Sequence, residues 1–387
     1  MDFSLSEEQQ LIQEMAARFA ATELAPIAAA LDRDAQGQRP AMLANVAKLA
    51  ELGFLGLNIR SEYGGAEAGT LAFSLVITEL AKACAATAVT VSVTNMVAEV
   101  IQAVGTEQQK QYYLPKLCSG EMLAGSFCLT EAGAGSDPAG MRTQAKAVEG
   151  GWVLNGTKQW ITNAEFAGVF VVWAVTDTSQ AKGKGISCFL VEAGTPGMQI
   201  GPAEHKMGQH GSATNEVAFV DCQVPANALM GELNQGFKVA VGELAGGRIG
   251  IGSLALGVAQ AAMDYGRQYL TERQQFGRPL SDFQALQWML ADRYTELEAA
   301  RLLLWQAAWL KEQGLPFAKQ ASMAKLYASE SANRACYDAL QMLGGYGYMQ
   351  EYPLERMTRD VRITTIYEGT SEIQRLVIAR ELLRELQ

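Results

Sequence analysis

The stretch Gly150-Gly151-Trp152-Val153-Leu154-Asn155-Gly156-Thr157 sets a short aromatic and β-branched run between glycine-bearing turns, the pattern of a strand. Runs of the same kind occupy residues 169–175, 186–191 and 216–220, with Gly183 and Pro196-Gly197 between them. Several short strands at this spacing predict a small β-sandwich or barrel. On its amino-terminal side the texture is helical from residue 4 to about 120. Ser4 to Glu7 and Ser6 to Gln9 both have capping-box spacing, and Leu11, Met15 and Phe19 follow at i, i+4 and i+8. Breaks at Ser61-Glu62-Tyr63-Gly64-Gly65 and at Gly105 divide these helices. From about residue 236 the helical period returns. Ser281-Asp282-Phe283-Gln284 has capping-box spacing, and Leu286, Leu290, Leu297, Leu304 and Ala308 trace one face. Gly314 and Pro316 interrupt that stripe, which favours a bundle of ordinary helices over a coiled coil. The predicted class is α+β: an N-terminal helical domain (1–120), a middle small β-barrel or sandwich domain (121–234) and a C-terminal four-helix bundle (235–387).

The 387 residues carry 31 basic and 41 acidic side chains, a net charge of −10, and are 49% hydrophobic. That is too apolar for a disordered chain and of the wrong sign for a nucleic-acid binder. Only His205 and His210 are histidines, so a histidine-built metal site or a histidine general base has little material, and no metal is predicted. The six cysteines (Cys84, Cys118, Cys128, Cys188, Cys222, Cys336) include no C-x-x-C pair and read as reduced, buried thiols. The amino-terminal MDFSLSEEQQ lacks a basic segment followed by an apolar one. Residues 83–98 are uncharged but fall short of the ~20 apolar residues of a membrane span, and they contain Thr87, Thr90, Ser92, Thr94 and Asn95. A buried helix, no membrane insertion and a cytoplasmic location are the expectations.

Three segments break the surrounding pattern. In Leu129-Thr130-Glu131-Ala132-Gly133-Ala134-Gly135-Ser136-Asp137, small residues beside a hydroxyl let a ligand approach the main chain. The residues alone also suit a plain turn, and no strand–GxGxxG–helix context makes it a dinucleotide fingerprint. In Lys158-Gln159-Trp160-Ile161-Thr162-Asn163, an indole beside hydroxyl and amide groups suits a planar cofactor, or a core tryptophan. In Thr364-Thr365-Ile366-Tyr367-Glu368-Gly369-Thr370-Ser371-Glu372-Ile373-Gln374, a glutamate stands between an apolar run and a helix start. Burial would raise its pKa toward that of a general base. The alternative, an acid favoured by the helix dipole, suits Glu372 better than Glu368.

Taken in order, these segments resemble the acyl-CoA dehydrogenase family over essentially the whole chain. Phe127 to Glu131 with Gly133 to Asp137 resembles the family's flavin and substrate loop, and Lys158 to Asn163 its second flavin segment. Arg273-Gln274-Gln275-Phe276-Gly277 resembles the site where a neighbouring subunit grips the FAD pyrophosphate. Gln341-Met342-Leu343-Gly344-Gly345-Tyr346-Gly347-Tyr348, Arg359-Asp360 and residues 366–374 resemble the C-terminal signature. The resemblance implies that Glu368 removes the α-proton of an acyl-CoA while the β-hydrogen passes as hydride to flavin N5, giving a trans-2-enoyl-CoA. It implies that the Glu368 N–H and a flavin ribityl hydroxyl polarise the thioester carbonyl. Phe127, Leu129, Thr130, Trp160, Thr162, Arg273, Gln275, Phe276, Gln341, Gly345, Thr370 and Glu372 would hold FAD. Gly135, Ser136, Arg248, Tyr367 and Gly369 would meet the substrate, with Arg248 on the CoA side. Electron-transferring flavoprotein is the implied acceptor and a homotetramer the implied assembly.

The sequence departs from the family in places. Some members carry the base immediately before an arginine on an earlier helix; here that position is Gly247, ahead of Arg248, which favours Glu368. An aspartate common three residues before that arginine is Ala245, and His210 stands where arginine is usual; a satisfied structural histidine is the reading. For Arg248 the alternative is a surface salt bridge. The likeness is greatest to short-chain, butyryl-type dehydrogenases. Glutaryl-type enzymes have a pocket arginine where this chain has about Ala88, so a carboxylate tail would be left unpaired. Glu99 either closes the pocket or is solvated. Two further readings share the fold: a flavin oxidase using O₂, and a non-catalytic helical scaffold.

Overall fold

In the computed structural model, Ser6 starts the first helix, α1 (Glu7–Phe19), as its spacing predicts: its hydroxyl accepts from the Gln9 N–H and the Gln9 side chain accepts from the Ser6 N–H. The structure describes residues 4–385; residues 1–3, part of the amino-terminal stretch read above, and residues 386–387 lie outside them. Five helices follow: α2 (Ala25–Arg33), α3 (Ala35–Glu51), α4 (Thr70–Ala83), α5 (Ala85–Val104) and α6 (Glu107–Ser119). α5 is buried despite its polar residues because most of them find partners. Thr90 and Thr94 donate to the carbonyls of Ala86 and Thr90, and Asn95 donates to Phe54 O and accepts from the Leu57 N–H.

The β region comprises β1 (Gly125–Cys128), β2 (Gln144–Val148), β3 (Gly151–Thr162), β4 (Val169–Val175), β5 (Ile186–Glu192), β6 (Met198–Ala203), β7 (Thr214–Pro225) and β8 (Leu229–Met230). The predicted runs lie within β3, β4, β5 and β7. They form one sheet in the order β6-β7-β3-β2-β4-β5-β8, with β1 parallel to β4. β4 and β5 read as continuous apolar runs because both their faces are covered. Val169, Val171 and Trp173 pack toward Val97, Ile101 and Leu117 of the helices. Phe170 and Val172 pack with Leu154, Val217 and Phe219 of β3 and β7.

The chain then enters α7 (Gly236–Glu272), a short hairpin of β9 (Gln274–Gln275) and β10 (Arg278–Pro279), α8 (Gln284–Glu312), α9 (Ala318–Met342), α10 (Leu354–Arg362) and α11 (Ser371–Arg384). The Ser281 capping box does not form: Leu280–Asp282 is a 3₁₀ turn and Phe283 occupies the N-cap of α8 without a side-chain bond. Spacing alone satisfied the pattern, but the N-cap falls two residues later, at Phe283, after a 3₁₀ turn. One core joins residues of α1–α5, among them Leu31, Val76 and Val91, to Ile251, Leu304 and Ala328 of α7, α8 and α9. The first and last helical segments are therefore one packed body. α5 and α7 are long and apolar enough to cross a membrane by length and composition, yet 78% and 67% of their apolar windows are buried inside the protein. The six cysteines are buried and free.

Candidate active site

The Lys158–Asn163 segment ends β3, where pairing with β7 slips between Lys158 and Ile161. At this bulge Trp160 adopts φ +56° and Asn163 φ +67°, backbone that non-glycine residues rarely take. The slip turns the Trp160 indole outward, 58% exposed, so it is not a core tryptophan. Asn163 is buried and donates to Thr90 O and Gly125 O, tying the bulge to α5 and β1. Lys158, 0% exposed, donates to Leu129 O (3.1 Å) and pairs with Glu131 (2.9 Å). Glu131 also accepts from the Arg142 and Thr143 N–H groups, and Thr130 O accepts from the Gln159 N–H. These bonds bring the Leu129–Asp137 loop beside the Trp160 bulge. Within that loop the Leu129 side chain is buried, whereas Gly133, Gly135 and Ser136 are exposed. A Cβ at Gly133 or Gly135 would meet nothing within 4 Å, so the main chain there is open to a ligand. Phe127 leans on Trp173, ring centroids 4.3 Å apart, and Thr162 O accepts from Ser126.

Glu368 sits at φ +55° and Gly369 at φ +88°, consecutive left-handed residues, a conformation that costs of order 1–3 kcal/mol at a non-glycine position. The surroundings hold it. Gln374 Nε2 donates to the carbonyls of Glu368 (2.9 Å) and Gly369 (2.8 Å), and Lys325 Nζ donates to Gly369 O (2.8 Å). Thr370 caps α11 through the Ile373 N–H, and Tyr367 Oη accepts from Gln209 Nε2 (3.2 Å). Glu368 Oε2 is buried without a hydrogen-bond partner. Burial pushes the Glu368 carboxyl up to about 7, against the opposing pull of Arg248 and Lys325.

Arg248 is 6% exposed and donates to Ser322 Oγ, so it is not a surface salt-bridge residue; its charge acts on Glu368. A Cβ at Gly247 would stand 2.8 Å from Glu368 Oε2, so the position before Arg248 faces the same carboxylate. Glu372 is exposed in the first turn of α11, 3.9 Å from Arg375, the helix-start role foreseen for it. Arg273, Gln275 and Phe276 project on the β9–β10 hairpin, Phe276 92% exposed. The Arg273 guanidinium lies 5.8 Å from the Tyr346 ring, which places the hairpin beside exposed Gln341 and Gly345. His210 Nδ1 and Nε2 lie 2.8 and 2.7 Å from Asp32 O and Lys206 O, the satisfied histidine expected. Lys325 and Gln374 were not singled out in the sequence. A lone lysine among Ala321, Ala324 and Ala328 was the available signal for the first.

A carboxyl with one buried, unpartnered oxygen, raised toward neutrality near two cations on strained backbone, is a candidate proton-transfer site. Models of the acyl-CoA dehydrogenase N-terminal, middle and C-terminal domains match residues 6–121, 126–222 and 234–383. The chain belongs to the acyl-CoA dehydrogenase family. Acryloyl-CoA reductase (NADH) of Anaerotignum propionicum is 46% identical over 99% of this chain and 96% of its own length. The structure of butyryl-CoA dehydrogenase from Megasphaera elsdenii superposes with TM-score 0.95 at 41% identity, over 99% of this chain and 100% of that one. A chain from work on the electron transferring flavoprotein of Acidaminococcus fermentans, toward a mechanism of flavin-based electron bifurcation, gives 0.96 at 44% identity, with 99% and 100% covered.

Proposed function

We propose that the protein dehydrogenates short-chain acyl-CoA thioesters at Cα–Cβ with Glu368 as the base. The observation that carries this is the Glu368 carboxylate: one oxygen buried and unpartnered, and a pKa near 7. FAD is the cofactor, and the residues suit it. The exposed Trp160 indole, the open main chain at Gly133 and Gly135, and the projecting Arg273 and Phe276 supply a stacking surface, close backbone approach and a cation for phosphate. When bound, FAD supplies the acceptor for the β-hydride. Glu368 Oε2 takes the α-proton. Burial keeps water from that oxygen, while Arg248 and Lys325 keep the carboxyl ionisable near neutral pH. The Glu368 N–H, which donates to no other residue among those described, is assigned to the thioester carbonyl. Trp160, Thr130 and Thr162, with Phe127 and the Leu129 main chain, are assigned to the flavin side, and Gly135, Ser136, Tyr367 and Gly369 to the substrate. The Arg273–Phe276 hairpin with Gln341 and Gly345 is assigned to a neighbouring subunit's FAD within a homotetramer. We assign the units 1–120, 121–234 and 235–387 to one cytoplasmic enzyme, with electron-transferring flavoprotein as acceptor; the 44% identical chain from Acidaminococcus fermentans supports that partner.

Glu368→Gln tests the base: turnover of butyryl-CoA falls by roughly 10²–10⁴-fold with FAD retained. Near-normal turnover in that variant refutes the assignment. The Anaerotignum propionicum relative favours a second reading, in which NADH is the source of the hydride for Cβ of a 2-enoyl-CoA and the same carboxyl, protonated, delivers its proton to Cα. Net rates with butyryl-CoA and flavoprotein against acryloyl-CoA and NADH separate the two directions. Rapid peroxide formation on re-oxidation by air would instead mark an oxidase.

A further inference from the structure

Helix α5 is enclosed, yet along its middle a trace of accessible surface remains on Val89 (2%), Ser92 (3%), Val93 (7%) and Met96 (6%). The residues between them, Thr90, Val91, Thr94 and Asn95, keep none. The spacing i, i+3, i+4 and i+7 is one helix face, and surface on one face of an enclosed helix is the wall of an internal space. Glu368 borders that space: a Cβ at Gly247 would lie 2.8 Å from both Glu368 Oε2 and Met96 Sδ. Past Met96 the same face opens toward Glu99, whose side chain is 13% exposed and pairs with Lys311. In the opposite direction the space closes. On α7 the surface falls from 6% at Arg248 to 2% at Ile251, and Leu254 and Ala255, a turn further, have none. There three helices meet. A Cβ at Gly250 of α7 would collide with Ser92 Oγ of α5 and lie 3.1 Å from Cζ of Phe73 on α4.

We infer that Phe73 is the stop at the blind end of the acyl channel: the tip of its ring, seated against the Gly250 main chain beside Ser92, limits the tail to short chains. The inference rests on the assignment of Glu368 as base. Gly247 marks the reacting end, and Gly250 lies three residues on, about 4.5 Å along the helix axis, the reach of a short tail. A longer tail would have to displace a ring that is 4% exposed and packed in the core shared by α4, α5 and α7, which close packing resists. Phe73, Ser92 and Ile251 offer a carboxylate tail no cation, so its burial there would be unpaired. Truncating the ring leaves an apolar void continuous with the channel, and such a void takes up apolar groups.

The test measures kcat/KM for butyryl-, hexanoyl- and octanoyl-CoA by flavin bleaching in the FAD-loaded protein, for wild type, Phe73→Ala, Phe73→Leu and Val76→Ala. Val76 lies three residues along α4 in the same core and keeps no accessible surface, so Val76→Ala loosens the packing without opening the channel. The octanoyl-to-butyryl ratio is expected to be low in wild type and in Val76→Ala, and to rise tenfold or more in Phe73→Ala, since one methylene in an apolar pocket is worth roughly 10–200-fold. If Phe73→Ala does not fold, Phe73→Leu decides, with a rise of threefold or more expected. A smaller rise in a variant still bleached by butyryl-CoA overturns the stop alone. So does an equal rise in Val76→Ala, or a wild type that uses octanoyl-CoA as readily as butyryl-CoA. Wild-type protein bleached by no acyl-CoA overturns the stop and the catalytic reading together.

Discussion

Replacing Lys325 by methionine removes one of two cations acting on Glu368 while keeping the length and apolar stem of the side chain. Lys325 is fully buried and donates to Gly369 O, one residue from Glu368. A cation within about 4–6 Å lowers a carboxyl pKa by about 1–3 units; with Arg248 still in place, a rise of about one unit is expected, worth about 1.4 kcal/mol. The sign follows from the charge: without the ammonium, the carboxylate form loses stabilisation and holds its proton to higher pH. From a starting value of about 7, the carboxyl moves to about 8, so the fraction ready to accept a proton at pH 7 falls from about a half to about a tenth. Activity at pH 7 should fall about fivefold from this cause and recover as the pH approaches 9. The assay is the pH profile of kcat/KM for butyryl-CoA with FAD-loaded variant and wild type. Gly369 O keeps its bond from Gln374, which limits disturbance of the loop. An acid limb at the wild-type position would refute the electrostatic role, whatever the change in absolute rate.

Two further outcomes follow from placement and burial. Trp160→Ala removes an exposed side chain, so the melting temperature should stay near that of wild type while flavin absorbance per chain falls after gel filtration; unchanged flavin retention would remove Trp160 from the cofactor site. Lys158→Met strands the Glu131 carboxylate, 7% exposed, and should cost about 3–5 kcal/mol, read as a large drop in denaturant midpoint.

The strands were legible because β4 and β5 are apolar on both faces and bounded by glycine turns, and the Ser6 box because its bonds are local. The Ser281 box was misread because spacing does not say where a preceding hairpin delivers the chain. Glu368 was singled out as a candidate from its setting between an apolar run and a helix start. Lys325, some forty residues earlier on α9, looked like any lysine in a helix of small residues. Its neighbourhood to Gly369 depends on how α9 and α11 pack.

By itself, the sequence determined the order of helical and β segments, the scarcity of histidine and the motifs that carry the family resemblance. These rest on local periodicity, composition and turn chemistry. The tertiary structure alone decided that Trp160 faces outward, because a register slip between β3 and β7 is a property of two strands. It also decided that Arg248 and Lys325 are buried beside Glu368, and that Glu99 meets Lys311. Burial sets the energy of a charge, and burial is made by chain segments distant in sequence.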